Sequence, residues 1–377
     1  MGHEVHVLTR SNNRETIEAW LADHDLPGVQ FLYTDLPPLF RRLKKLPGGI
    51  YPYTYLWQVA ALMTARRAHA RERYDRVQHL TFVSIRFPSF LGLLGVPFLL
   101  GPVGGGEQSP PRLRGALGTA FSLRERLRSA LIFIHRIDPI RNWAMGKATL
   151  ALATSAESAA ALPRALRART VVHGAIAGDG AEDPGPLPAT DGPIDLLYAG
   201  LWKDWKGLRI GFRALAQARE KSHRPFRLAV VGRGPQEAVW REEVKRLGLD
   251  DVVTFEGWVP RARMLELYAG RHGFLFPSLH DSGGLVVPEA MARGLPVICL
   301  GCGGPAVSVG DEAGHVQPVD GLSHDEVVSG LADALVKLGD PEQQAAWRAG
   351  ALARAERLTW RRQVARAYEL FEEKITR

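Results

Sequence analysis

Phe276-Pro277-Ser278-Leu279-His280-Asp281-Ser282-Gly283-Gly284-Leu285-Val286-Val287-Pro288-Glu289-Ala290-Met291-Ala292-Arg293-Gly294-Leu295-Pro296-Val297 is the stretch that decides the fold. An apolar run of strand length ends at Phe276, an Asp-Ser-Gly-Gly turn follows, a helix starts, and Gly294-Leu295-Pro296 leads into the next apolar run, Val297 to Leu300. The hydrophobic period changes from that of a strand to that of a helix and back, which is the pattern of a βαβ unit. The run that ends at Phe276 begins at Phe274, and similar runs stand upstream at Ile194 to Ala199, Leu228 to Val231 and Val252 to Phe255. Between the first two, Leu208, Phe212, Leu215 and Ala216 fall on one helical face and Lys221 marks a helix end. The alternation predicts a parallel sheet covered by helices, one Rossmann-like α/β domain over about 190 to 350.

The front half carries the same rhythm with weaker contrast. Its strand candidates are Glu4 to Thr9, Gln30 to Tyr33, Arg76 to Leu80, Val96 to Leu100, Leu150 to Ala153 and Arg169 to Val172. The expected architecture is two Rossmann-like domains facing across a cleft: a front domain over 1–177, a linker over 178–192, a second domain over 193–358 and a C-terminal helix over 359–377. The linker assignment rests on Gly178 to Pro188, rich in Gly, Pro and acid. Trp360 to Ile375 has Val364, Ala367, Tyr368 and Phe371 at helical spacing. Open sheets of this kind bind ligands at the carboxyl ends of their strands, so the site is expected in the cleft.

Composition narrows the classes. The chain has 377 residues, 46% of them apolar, and 23% charged, which excludes disordered and fibrous proteins. Two cysteines cannot make a disulfide framework, and a reducing compartment is expected. The amino end lacks a basic segment followed by an apolar one, and Phe87 to Gly106 is too interrupted by Gly and Pro to read as a membrane span. Of the net charge of +8, the front half holds the basic part: 23 Lys and Arg against 13 Asp and Glu up to residue 180. Such a surface suits anionic headgroups or a phosphorylated acceptor. No zinc-finger spacing or aromatic RNA-binding signature accompanies it, so nucleic acid is not expected.

Within the opening stretch, the backbone amides of Ser282, Gly283, Gly284 and Leu285 lie at a helix start, where they suit a diphosphate. Glu289 sits one turn into that helix, placed to accept hydrogen bonds from ribose hydroxyls. Taken alone, the same residues read equally as a helix cap at Asp281 and a surface carboxylate.

The two acids Asp281 and Glu289, separated by seven residues, resemble the signature of the retaining glycosyltransferases of family 4, group 1 type, which have the GT-B fold. The resemblance extends to Gly200-Leu201-Trp202-Lys203-Asp204-Trp205-Lys206-Gly207, to Val231-Gly232-Arg233-Gly234-Pro235 and to Phe255-Glu256-Gly257-Trp258-Val259-Pro260. Looser matches in the front half are His79-Leu80-Thr81 and Gly101-Pro102-Val103-Gly104-Gly105-Gly106-Glu107. It implies a sugar transferred from a nucleoside diphosphate sugar to an acceptor hydroxyl, in cell-surface polysaccharide or glycolipid synthesis, with no metal and no other cofactor. It assigns Lys206, Asp281 and His79 to catalysis. To the donor it assigns Glu289, Ser282, Gly283, Gly284 and Leu285, with Gly232 and, near the base, Gly257, Trp258 and Val259. Gly104, Gly105, Gly106 and Glu107 fall on the acceptor side, Glu107 orienting a hydroxyl.

Two departures from the family pattern stand out. Leu201 occupies a position where family members usually carry Arg, so one of two phosphate-binding cations is missing, with Arg233 or Arg209 as stand-ins. Family members also begin with a strand, a glycine loop and a helix ahead of the segment matched by Gly2-His3-Glu4-Val5, so the first βα unit is expected to be absent from this sequence: either the true start codon lies further upstream, or the protein lacks the unit and exposes a sheet edge. Both departures keep open a non-catalytic nucleotide-sugar-binding or partner protein on the same fold. A sugar-nucleotide epimerase would need a further cluster of acids and a histidine, which the sequence does not show.

Other motifs carry less. Cys299-Leu300-Gly301-Cys302 has redox spacing but does not open a helix, and is expected to be structural. Gly232-Arg233-Gly234 lacks the third glycine of a dinucleotide fingerprint. Ser122 to Ile134 reads as a basic amphipathic helix, and Arg41-Arg42-Leu43-Lys44-Lys45 as a basic loop. Together they suggest a cytoplasmic protein peripheral to the inner membrane face, acting on a lipid-linked or polysaccharide acceptor.

Overall fold

The computed structural model describes residues 3–80, 82 and 84–376; Met1, Gly2 and the Thr81 of the His79-Leu80-Thr81 match lie outside them. In the front half, β1 (Val5–Arg10) pairs in parallel with β2 (Val29–Thr34) and, among the described residues, with no other strand. A separate four-stranded parallel sheet has the order β3-β4-β5-β6, with β3 Val77–His79, β4 Phe98–Val103, β5 Leu150–Ala153 and β6 Thr170–Val172. The front half is therefore split into two sheets rather than one continuous Rossmann sheet. The division shows in burial: no residue of β1 is buried, whereas all four of β5 are. A strand flanked on one side only loses the packing that flanking strands and helices give a central one. The helix Ile50–Glu72 spans the division, packing Tyr53, Trp57 and Ala61 against Leu8, Leu36 and Phe82.

The second half forms one six-stranded parallel sheet. Its strands are β7 (Ile194–Ala199), β8 (Phe226–Val231), β9 (Val253–Gly257), β10 (Gly273–Phe276), β11 (Val297–Leu300) and β12 (Gly314–Gln317), in the order β12-β11-β10-β7-β8-β9. Five of these correspond to the apolar runs of the sequence. β12 does not, because Gly-His-Val-Gln has one apolar residue and is held by its pairing with β11. The predicted helix at 208 runs Leu208–Lys221 and buries Leu208, Phe212 and Leu215. The order reverses between β7 and β10, so the chain leaves these two neighbours toward opposite ends of the sheet and opens a crevice at their carboxyl ends.

Three features differ from simple expectation. Residues 178–192 are tied down: Gly178 N donates to Leu358 O at 2.9 Å, and Arg348 Nη2 donates to the carbonyls of Pro184 and Gly185 at 2.8 Å each. The C-terminal helix Trp360–Ile375 returns to the front half, where Ala367 and Phe371 pack on Leu99, Leu150 and Leu152. Arg41 to Lys45 is helical rather than a loop, the end of Pro38–Arg41 followed by a 3-10 turn. Among the described residues no helix is long and apolar enough to cross a membrane.

Candidate active site

The crevice between β7 and β10 is built by two loops. The first follows β7 and ends in a 3-10 turn, Asp204–Lys206; the second, 277–285, follows β10. They interlock through Leu279 N donating to Trp205 O at 2.9 Å and Ser278 Oγ to the same oxygen at 3.3 Å. This locking brings together two side chains 75 residues apart: Lys206 Nζ lies 2.7 Å from Asp281 Oδ2. Ser278 Oγ donates to that oxygen at 2.6 Å. Lys206 Nζ also sits 4.9 Å from the Phe276 ring centroid, so the ammonium is held by a carboxylate and an aromatic face at once. Both side chains are largely but not fully buried, at 12% and 18% exposure, which leaves them reachable from the crevice.

The helix after the second loop begins at Val286, with Leu285 as its cap. Asp281 therefore does not cap it. The amides of Ser282, Gly283, Gly284 and Leu285 donate to no acceptor among the described residues and form a bank of free donors directly after Asp281 in the loop. Glu289 is on the same helix, its Oε1 3.2 Å from Arg261 Nη1 and its Oε2 accepting from Tyr268 Oη at 3.4 Å. Burial, then the Glu289 carboxylate, pushes the Tyr268 hydroxyl well above its ordinary range.

The front half meets these loops directly. Glu107 is 1% exposed. Its Oε1 accepts the hydroxyls of Ser158, Ser155 and Thr154 at 2.7, 2.9 and 3.0 Å, and its Oε2 accepts Gly105 N at 2.7 Å and Ser282 Oγ at 3.1 Å. Burial alone would raise this carboxyl; the Ser158 and Ser155 hydroxyls and the backbone amides of Glu107 and Gly105 outweigh it and hold the group below its usual value. All its lone pairs are committed, so Glu107 holds the Gly104–Gly106 turn and the 277–285 loop rather than facing the cleft as a free acceptor. The turn is correspondingly tight. A Cβ on Gly104 would lie 2.7 Å from Ser282 Cβ and from Thr154 Oγ1, so glycine is what allows the two halves to touch here.

Further links close this end of the crevice. Glu157 Oε1 accepts Gly303 N at 3.0 Å. Glu125 Oε1 lies 3.3 Å from His280 Nε2, and His280 stacks on Trp205. Burial opposes ionisation of Glu125, but the hydrogen bond and charge of His280, with Ser109, hold it down at about 2. His79 is buried at the end of β3.

The remaining sequence candidates separate. Arg209 is committed to Leu117 O at 3.1 Å and Glu243 Oε2 at 3.3 Å, so it is no stand-in for the missing cation. Arg233 is exposed, with its guanidinium carbon 6.0 Å from the Trp258 ring centroid, and remains available. Gly232 N donates to Gly257 O at 2.8 Å, tying the ends of β8 and β9 together. Leu201 is 57% exposed. Both cysteines are free and buried; burial pushes the Cys299 thiol up to about 12 and raises Cys302 as well, so neither is a nucleophile at neutral pH. Among the described residues no three His, Cys, Asp or Glu side chains form a metal cluster.

Comparison with known proteins fits this geometry. Residues 179–351 match the family model described as glycosyl transferases group 1. A 2-deoxystreptamine glucosyltransferase of Streptomyces kanamyceticus is 28% identical over 287 residues, 71% of this chain and 70% of that protein. The second half of the chain thus matches the group 1 glycosyltransferases.

Other relatives match this chain over less than half of their own length. A D-inositol 3-phosphate glycosyltransferase of Acidothermus cellulolyticus is 34% identical over 180 residues, 45% of this chain and 39% of that protein. Among solved structures, the apo form of the lipopolysaccharide outer core galactosyltransferase WaaB shares the fold with a TM-score of 0.61 over 99% of both chains at 13% identity. What sequence reasoning missed in the site is its support: Ser278 on Asp281, the four hydroxyls around Glu107, and the Glu125–His280 pair. These are scattered small polar residues and a pair 155 positions apart, joined only by the fold.

Proposed function

We propose that this chain transfers a glycosyl group, with retention of configuration, from a nucleoside diphosphate sugar to an acceptor hydroxyl. The observation that carries the reading is the Lys206–Asp281 pair beside the free amides of 282–285 at the switch point of the second sheet. In the reaction the bond from the anomeric carbon to the diphosphate oxygen breaks, the acceptor oxygen bonds to that carbon on the same face, and its proton passes to the leaving diphosphate. Negative charge builds on the diphosphate, where Lys206 and the amides stabilise it without a strong base. Glu289 is placed for the ribose, with Gly232, Gly257, Trp258 and Val259 at the ends of β8 and β9 for the base. In this reading residues 1–177 are the acceptor domain and 193–358 the donor domain, and His79 with Gly104–Gly106 borders the acceptor.

The acceptor is read as membrane-bound. Leu123, Leu127, Ala130, Ile134 and Ile137 form an exposed stripe along the helix Thr119–Ile137, flanked by exposed Arg124, Arg126 and Arg136, and Trp143 is exposed just beyond. An apolar stripe bordered by arginines suits the surface of an anionic bilayer. Leu201 favours a second reading, a nucleotide-sugar-binding chain without catalysis.

Thermal unfolding of the full chain with UDP, GDP, ADP and dTDP tests the proposal, since a ligand at 100 times its Kd stabilises by about 2.7 kcal/mol. One nucleotide is expected to raise Tm. A chain that melts cooperatively and responds to none of the four has no donor site, and the reading fails.

A further inference from the structure

Arg86 and Arg128 are two half-buried arginines on the front-half side of the crevice. The turn bearing Arg86 is fixed against the glycine turn, with Ile85 N donating to Gly104 O at 2.8 Å and Arg86 N to Ser84 Oγ at 3.3 Å. The Arg86 guanidinium has no ion pair or hydrogen bond among the described residues, and its Nε is fully shielded from solvent. Arg128 Nη2 donates to Glu107 O at 3.0 Å, placing its guanidinium on the same turn, while its Nε is also buried and unmatched. The acids nearest Arg128 are spoken for: Glu107 by four hydroxyls and an amide, Glu125 by His280. Burial, and then the charge of Arg86, lowers the Arg128 guanidinium from its ordinary value, against the opposing pull of the Glu125 and Glu107 charges. Like charges confined with unmatched donors call for an anion.

An apolar groove of about 540 Å³ lies alongside, lined by Tyr51, Tyr55, Ile134 and Ile137. Tyr51 stacks on His135 with ring centroids 5.0 Å apart and contacts Phe87, next in sequence to Arg86. The groove thus runs from the exposed apolar stripe toward the two arginines.

We propose that Arg86 and Arg128 form an anion subsite for a phosphate ester carried by the acceptor. Planar guanidiniums bind phosphate oxygens in pairs, and the groove takes an apolar group attached to the phosphate. Calling the ligand an acceptor rests on the glycosyl-transfer reading; the anion subsite itself does not.

The test is calorimetric titration of the full chain with geranyl phosphate, geraniol and inorganic phosphate, and separately with UDP, GDP, ADP and dTDP, for wild type, Arg86→Gln and Lys206→Ala. Arg86 has no side-chain partner among the described residues, so Arg86→Gln is expected to fold and to weaken geranyl phosphate at least tenfold, with nucleotide affinity within twofold of wild type. Arg86→Lys is expected to recover part of the loss. Geranyl phosphate tighter than inorganic phosphate assigns the anion to a lipid phosphate; equal affinities assign it to phosphate alone. Geraniol binding as tightly as geranyl phosphate, or an unchanged affinity in Arg86→Gln, overturns the subsite. Nucleotide binding absent from wild type while Arg86→Gln still loses geranyl phosphate sinks the donor reading and leaves the subsite standing.

Discussion

Ser282 Oγ donates to Glu107 Oε2 across 3.1 Å, so a residue of the loop that carries Asp281 completes the hydrogen bonding of a carboxylate buried in the other half of the chain. Glu107 is consequently a positioning residue for both loops at the crevice. In Glu107→Gln an amide nitrogen faces hydroxyl and backbone donors, and several of them lose their acceptor. The expected cost is about 2 to 4 kcal/mol, within the range for breaking a buried charged network. The midpoint of urea unfolding reads it. Ser282→Ala, which removes one donor of five, is expected to cost no more than about 1 kcal/mol. A Glu107→Gln midpoint equal to wild type would show that the carboxylate is not the organiser described above.

Acid stability follows from the same end of the crevice. Glu107 is held below its usual value and Glu125 at about 2. A carboxyl whose folded pKa is depressed adds stability that is complete above its unfolded pKa, about 4.3, and is lost as pH falls through the folded value. Wild type is therefore expected to lose stability between about pH 4.3 and pH 2, and Glu125→Gln to show a shallower loss over that window. Parallel acid titrations of the two proteins, followed by circular dichroism, measure the difference; superimposable slopes count against the Glu125–His280 pair.

The C-terminal helix is bound to the half of the chain farthest from it in sequence. Phe371 is 1% exposed and packs with Ala367 on Leu99, Leu150 and Leu152. Phe371→Ala is expected to cost about 3 to 5 kcal/mol through the cavity it leaves. Unfolding midpoints measure this directly. A loss well under 1 kcal/mol would mean that the helix contributes little to the front half.

How much of this was legible in the sequence differs between the halves for physical reasons. In the second half, strands buried on both faces read as continuous apolar runs, and Ile194–Ala199 and Val297–Leu300 begin and end where those runs do. β12 escaped because a short edge strand does not need apolar residues. In the front half the strands were located to within a few residues, yet their division into two sheets was not visible, since pairing is a long-range property that local period does not encode. Lys206 and Asp281 stand out as candidates through local motifs. Their meeting, and the hydroxyl cage around Glu107, required the fold, because Thr154, Ser155 and Ser158 are unremarkable as a sequence.

The exposed stripe on Thr119–Ile137 gives a prediction independent of catalysis. Leu127 and Ile134 are 62% and 55% exposed, and burying such side chains in lipid contributes about 1.5 to 3 kcal/mol each. Leu127→Glu with Ile134→Glu is expected to reduce co-sedimentation with phosphatidylglycerol vesicles at least tenfold while leaving the melting temperature unchanged, as both side chains already face solvent. Equal sedimentation of the double variant would remove the bilayer from the reading.

Lys206 separates chemistry from folding most directly. Its ammonium is 2.7 Å from Asp281 Oδ2, and Asp281 keeps the Ser278 hydroxyl at 2.6 Å when the lysine is removed. With both charged groups partly reachable by solvent, Lys206→Ala is expected to cost the fold only about 1 to 2 kcal/mol. In the proposed reaction the same ammonium would face charge growing on the leaving diphosphate, in a crevice screened less than bulk water. Loss of one preorganised donor at such a place lowers kcat by about 10² to 10³. The expected signature is a large fall in kcat with a smaller rise in KM for the donor, because the ground-state diphosphate retains the amides of 282–285 whereas the transition state loses a full charge. Steady-state kinetics alongside a melting curve distinguish the outcomes. If kcat stays within threefold of wild type and Tm is unchanged, the charge that stabilises the leaving group lies elsewhere, and Arg233, exposed beside Trp258, becomes the next residue to replace.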